Sequence, residues 1–213
     1  MASRKGGAGT TTIASALAVE AVRRGHGPVV MLDTDPQGGL AGWWNAREAD
    51  TPVFVEAAMG ELRGTLAALE ERGFAIAFID TPPQVSEAIS AVIQVADIVI
   101  VPVRASPNDL RAVSATVDLI EEAAKRMIFI VNAVKPRVKL TAETAILLSQ
   151  HGTVAPIHVA DRTDYAGAMT DGRTGPEMDP LGKAAAEIAA LWTYIAQKIG
   201  IESRNAKQAA PTA

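Results

Sequence analysis

A doubly wound α/β fold, with a mainly parallel sheet and helices on both faces, is what this sequence predicts. Three observations predict it. Continuous apolar runs alternate with stretches of helical periodicity along most of the chain. A glycine-rich segment, Lys5 to Thr12, opens the first helical stretch. Aspartates directly follow two of the apolar runs, and ligands gather beyond the carboxyl ends of parallel strands.

The elements follow in order. Thr11 to Arg24 predicts a helix, with Ile13, Leu17 and Ala21 at helical spacing, and Gly25-His26-Gly27-Pro28 breaks it. Val29 to Leu32 is a continuous apolar run, as expected of a strand buried on both faces. Leu40 to Asn45 begins a second helix, and Glu61 to Arg72 is an amphipathic helix ending at Gly73. Phe74 to Ile79 is the next buried strand, Ser86 to Val95 a helix, and Ile98 to Val103 a strand. Asn108 to Arg126 is a long helix, Met127 to Val131 a strand, Leu140 to His151 a helix and Val154 to Val159 a short strand. Leu181 to Ile199 closes the domain. One domain over 1–200 is expected, then a disordered tail over 201–213 that loses the apolar pattern.

With 213 residues and 48% hydrophobic content, the chain can bury one sizeable core. Its formal charge of −4 excludes a globally basic nucleic-acid binder, though not a local basic patch. It has no cysteine, hence no disulfide and no thiolate metal site, which fits a cytoplasmic protein. No stretch reaches the roughly 18 apolar residues of a membrane span. His26, His151 and His158 lack metal-ligand spacing. Trp43, Trp44 and Trp192 read as packing residues.

Lys5-Gly6-Gly7-Ala8-Gly9-Thr10-Thr11-Thr12 fits the frame of a phosphate-binding loop, G-x-x-x-x-G-K-[ST], with Thr10 in the lysine's place. Glycines let backbone N–H groups converge on an anion, and the following helix adds its positive end. Thr11 stands where a hydroxyl holds Mg²⁺. Such a loop follows a buried strand. Only Met1-Ala2-Ser3-Arg4 precede Lys5, so a shortened or trimmed first strand is expected.

Asp33-Thr34-Asp35-Pro36-Gln37 follows the first apolar run. Its two carboxylates point the same way if the strand continues and diverge if it has turned, and aspartate also suits a helix or turn cap. Phe78-Ile79-Asp80-Thr81-Pro82-Pro83 sets an aspartate at the end of a buried strand, the geometry in which a carboxylate holds Mg²⁺ through water.

The loop resembles that of the ParA/MinD group of deviant P-loop ATPases, K-G-G-x-G-K-[ST]-T, at every position but Thr10. The D-x-D-P-Q and strand-D-[TAC]-P-P elements of that family match as well. The resemblance extends through Arg162-Thr163-Asp164-Tyr165, Asp171-Gly172-Arg173 and Pro180 to Ile188, as in small plasmid-type ParA proteins. It implies ATP or ADP with Mg²⁺ as ligands. Lys5 would reach across a nucleotide-sandwich homodimer to the partner's phosphates, Asp35 would position the attacking water, and Asp33 would support the metal site with Thr11 and Asp80. Asn132 resembles the family's adenine-reading asparagine, and Pro180 lies where the base is enclosed.

The resemblance further implies nonspecific DNA binding by the ATP-bound dimer, an activating ParB-like or adaptor protein, and a cytoplasmic, nucleoid-associated location; Glu202 to Ala213 carry Arg204 and Lys207 but few large apolar groups, so a MinD-like membrane anchor is not expected. Lys135, Arg137 and Lys139 share one loop, and Arg162 and Arg173 fall in the late, loop-rich region. These five are the candidate phosphate contacts, and each equally suits a solvated surface. Thr10 carries no charge, so slower turnover or weaker ATP binding is expected. A non-catalytic scaffold that keeps the fold and presents surfaces to partners is the alternative.

Overall fold

The computed structural model describes residues 1–2, 7–82 and 87–201. Lys5, Gly6 and the tail 202–213 lie outside them. The helices are α1 (Thr10–Arg23), α2 (Gly39–Asn45), α3 (Leu62–Glu71), α4 (Glu87–Val95), α5 (Pro107–Glu122), α6 (Leu140–Ser149), α7 (Thr163–Ala168), α8 (Gly175–Met178) and α9 (Lys183–Ile199). The strands are β1 (Val29–Asp33), β2 (Val53–Glu56), β3 (Ile76–Asp80), β4 (Ile98–Arg104), β5 (Arg126–Asn132) and β6 (Thr153–Val154).

Among the described residues the strands form two parallel sheets, in the orders β2-β1-β3 and β4-β5-β6. Met1 and Ala2 join them. The Met1 ammonium donates to Ile79 O at 2.5 Å, and Ala2 N donates to Ile100 O at 3.1 Å. Below this stitch, β3 and β4 part around a cleft of about 630 Å³.

Alternation along the strands builds a core on each face. Val29 and Met31 pack with Ile13 and Leu17 of α1, Leu40 and Trp43 of α2, and Ile188, Leu191 and Trp192 of α9. Val30 and Leu32, one residue out of phase, pack with Leu62 and Leu69 of α3 and Val92 of α4. On the same side of the second sheet, Val99, Val101, Phe129 and Val131 meet Ile89 and Ile93 of α4, Val113, Val117 and Ile120 of α5, and Leu148 of α6. The doubly wound α/β architecture is thus as expected, and β1 is buried on both faces because an apolar side chain is needed at every position.

Several elements differ from expectation. β2 was not foreseen. Its four half-buried or exposed residues pair with β1 on one edge only, so they lack a long apolar run. β6 is confined to Thr153–Val154, because Pro156 has no N–H for the ladder; Ala155 N and Val159 N still reach Phe129 O and Val131 O on either side of it. α5 stops at Glu122, and Ala124 at φ 52° turns the chain into β5. β3 is less buried than a central strand. Ala77 is exposed and Ile76 and Phe78 are half-buried, since the cleft occupies the place beside them.

Candidate nucleotide site

The site lies at the carboxyl ends of β1, β3 and β5 and the amino end of α1. Gly9 is the N-cap of α1 at φ 92°, and Gly7 has φ 81°, conformations that an L side chain resists. Ile13 N donates to Gly9 O at 2.9 Å to start the helix. The first-turn N–H groups of α1 follow the two left-handed glycines and have no acidic residue among them. That arrangement suits an anion.

Directly beneath, Thr11 Oγ1 donates to Asp80 Oδ2 at 2.5 Å. Asp80 is 2% exposed. Burial pushes its carboxyl up to about 6, and nearby Asp33 adds to the rise. The Thr11 hydroxyl, the Met1 ammonium and the Thr81 N–H oppose it. Burial lowers the Met1 ammonium, while Asp80 pulls it back up. A buried hydroxyl and carboxylate, both hard oxygen donors, suit Mg²⁺ completed by phosphate and water. The donor set therefore fits the metal that the motif implies.

Asp33 lies opposite Asp80 in the β1–β3 register. Its Oδ1 accepts from Asp35 N at 2.9 Å, and its Oδ2 accepts from Leu40 N at 3.1 Å and Ala41 N at 3.0 Å. The carboxylate thus holds the turn and caps the start of α2. The chain turns after Asp33, and Asp35 Oδ1 accepts from Gln37 N at 2.9 Å in a turn of its own. Thr34 fixes the platform, donating from N and Oγ1 to Asp80 O at 3.1 and 2.6 Å.

Asn132, buried at the end of β5, donates from Nδ2 to Ala8 O at 2.7 Å. Its amide nitrogen thus holds the glycine loop itself. A Cβ on Gly9 would sit 2.4 Å from that nitrogen, so glycine is required twice over. Pro180 is exposed in the turn between α8 and α9.

The VirC1 protein family matches residues 1–157. The chain belongs to this family. It stands among the ParA/MinD-type partition ATPases. A maintenance of carboxysome distribution protein A from Halothiobacillus neapolitanus is 29% identical over 198 residues, 88% of this chain and 90% of its own. Protein ParA from Rhizobium radiobacter is 30% identical over 177 residues, 78% of this chain and 79% of its own. The septum site-determining protein MinD from Pyrococcus horikoshii OT3, solved with Mg-ADP, shares the fold at a TM-score of 0.76 and 16% identity. That match covers 92% of this chain and 94% of the solved one.

In this VirC1-family chain the five candidate DNA contacts divide by environment. Lys135, Arg137 and Lys139 are exposed together before α6, and Lys135 pairs with Asp161 at 3.9 Å. Arg162 is held by Glu187, which also accepts from Tyr165 Oη at 3.2 Å. Arg173 pairs with Asp171 on the surface, at 2.8 Å from Nε.

Three contributors were missed from sequence. Met1 and Thr34 act through backbone geometry that no motif encodes. Arg47, whose side chain is 5% exposed, bonds Gly172 O at 2.8 Å and Glu177 at 2.7 Å, while Trp43 Nε1 donates to Arg173 O at 2.7 Å. Together they tie α2, and hence the Asp33 turn, to the loop that carries Arg173. Among the described residues no helix is long and apolar enough to cross a membrane.

Proposed function

We propose that this chain is a ParA-like positioning ATPase that binds Mg-ATP in the loop 5–12 and dimerises around it. The observation that carries the reading is the Thr11–Asp80 hydrogen bond of 2.5 Å beneath the left-handed glycines that open α1. Backbone N–H groups of the loop and the start of α1 bind the phosphates. Thr11 and Asp80 hold the metal, and Asp33 stiffens the turn beside them. When bound, Mg²⁺ neutralises the β- and γ-phosphate oxygens and polarises the phosphoryl group. Asp35, on the turn that Asp33 braces, orients the attacking water. Lys5 supplies charge to the partner's phosphates across the dimer. Asn132 fixes the loop and offers its remaining amide oxygen to the base, with Pro180 closing over it.

The ATP-bound dimer holds DNA nonspecifically through Lys135, Arg137, Lys139, Arg162 and Arg173, of which the first three are the most available. A ParB-like or adaptor protein triggers hydrolysis and release. The cargo is a plasmid, a chromosome region or a cytoplasmic assembly, and one sequence relative is named for maintenance of carboxysome distribution. The protein works in the cytoplasm, on the nucleoid. Light scattering at saturating Mg-ATP is expected to give a dimer mass, and a monomer mass would count against the reading.

Thr10 favours a second reading. Without the loop lysine, the fold could serve as a scaffold that binds partners and never turns over.

A further inference from the structure

Helix α6 turns large apolar side chains outward and keeps hydroxyls inside. Ile146, Leu147 and Leu148 are consecutive, and a helix turns about 100° per residue, so no single face takes all three. Leu148 goes to the core. On the same side, one and two turns back, the helix buries Thr144 and Thr141, whose hydroxyls find no hydrogen-bond partner among the described residues. Ile146 is left 64% exposed and Leu147 48%. Burial within this chain alone would favour the reverse, because an unpaired buried hydroxyl costs free energy and an exposed isoleucine forgoes its transfer gain. A helix with large apolar residues on both sides is one that is covered on both sides.

The outer face falls into two neighbouring rows at i, i+4 spacing. Val138, Ala142 and Ile146 make an apolar row, in which the small, exposed Ala142 lies between two larger neighbours. Lys139, Glu143 and Leu147 make the second row, and the exposed Arg137 stands just ahead of it. Among the described residues Arg137, Lys139 and Glu143 have no ion-pair partner. This charge order selects the occupant. A nucleic acid or an anionic lipid surface laid along the helix would meet Glu143 one turn past Lys139 and be repelled there. In a second copy packed about a two-fold axis, the two Glu143 carboxylates at mid-face would oppose each other. The chain's own tail, Glu202 to Ala213, has no large apolar residue with which to cover Ile146 and Leu147.

We infer that the outer face of α6 docks an amphipathic helix of a partner protein. That helix is apolar along one stripe, acidic at the end that meets Arg137 and Lys139, and basic one turn on, opposite Glu143. Its stripe seats over Ala142, between Val138 and Ile146, and along Leu147, as the ridges of one helix enter the grooves of another. Arg137 and Lys139 are withdrawn from DNA while the helix is seated. Docking needs no nucleotide and does not depend on the ATPase reading.

The probe is a fluorescein-labelled peptide held helical by a hydrocarbon staple, since a short helix is marginal in water. It carries three glutamates in its first turn, a lysine one turn on, leucines at i, i+3, i+4 and i+7, and alanines elsewhere. A second peptide of reversed order covers the antiparallel arrangement. Each is added to the full-length protein without nucleotide or DNA, and anisotropy is read. Saturable binding of one of them is expected. It should weaken at least tenfold in the Ile146→Ser, Leu147→Ser double variant, and vanish when serines replace the peptide's leucines. Arg137→Glu with Lys139→Glu should also weaken it at least tenfold, and should restore binding to a peptide whose glutamates are changed to lysines. These side chains are exposed, so the thermal midpoints are expected to stay unchanged. No saturable binding of either peptide at millimolar concentration would overturn the proposal, as would equal binding by the serine double variant. A nucleotide-free dimer mass, or sedimentation with phosphatidylglycerol vesicles, that disappears in the serine double variant would assign the face to a second copy or to lipid instead. Binding that appears only after deletion of residues 202–213 would assign it to the protein's own tail.

Discussion

Substituting Gly9 and Asn132, singly and together, tests the build of the glycine loop. Gly9→Ala carries two costs. The backbone at φ 92° disfavours an L residue by about 1–2 kcal/mol. The new methyl also lies 2.4 Å from Asn132 Nδ2, which cannot retreat without giving up Ala8 O at 2.7 Å. Breaking that bond orphans a buried carbonyl at about 1–2 kcal/mol, so Gly9→Ala is expected to lose roughly 2–4 kcal/mol in all. Asn132→Ala alone is expected to lose about 1–2 kcal/mol, because it removes the same bond without the clash. In the Asn132→Ala background the Gly9 substitution retains only its dihedral cost. The double variant is therefore expected to fall short of the sum by about 1–2 kcal/mol. Urea unfolding of the four proteins measures the cycle. Strict additivity would refute the reasoning, since it would mean that the Asn132 amide does not rest on the loop.

Two further predictions concern buried charge. The folded Asp80 carboxyl, at about 6, lies above its ordinary value of 3.8, so its protonated form favours the fold. That stability is fully present below about pH 3.8 and is lost as pH rises through 6, by up to about 3 kcal/mol. Asp80→Asn is expected to flatten the metal-free denaturation profile between those limits, and an unchanged slope would contradict it. Arg47→Ala removes a buried guanidinium shared by Glu177 and Gly172 O and stacked 5.2 Å from the Trp43 ring. About 3 kcal/mol is expected to be lost, read by calorimetry as a fall of roughly 6–12 °C in the thermal midpoint.

Sequence reading succeeded where burial on both faces left no choice of residue. β1, β4 and β5 show as unbroken apolar runs, and α1 and α9 as long periodic helices. It failed where a segment is short or one-sided. β2 is an edge strand of four residues, and α7 and α8 have six and four, too few to display a period. At the site, Thr11 and Asp80 were legible because a motif fixes their spacing to strand and helix. The use of Asn132 was not, since its contact with Ala8 joins residues 124 apart through the sheet. Asp33 was read for the metal, yet its oxygens serve the Asp35, Leu40 and Ala41 amides, which only the turn after β1 brings within reach.

The most direct test of the nucleotide site is titration calorimetry of Mg-ATP into the native chain and into Thr10→Lys. Saturable, magnesium-dependent binding to both is predicted. It should be at least tenfold tighter in Thr10→Lys and should disappear in Asp80→Ala. Absence of binding to native chain and Thr10→Lys alike, or binding indifferent to magnesium and to Asp80, would contradict the account.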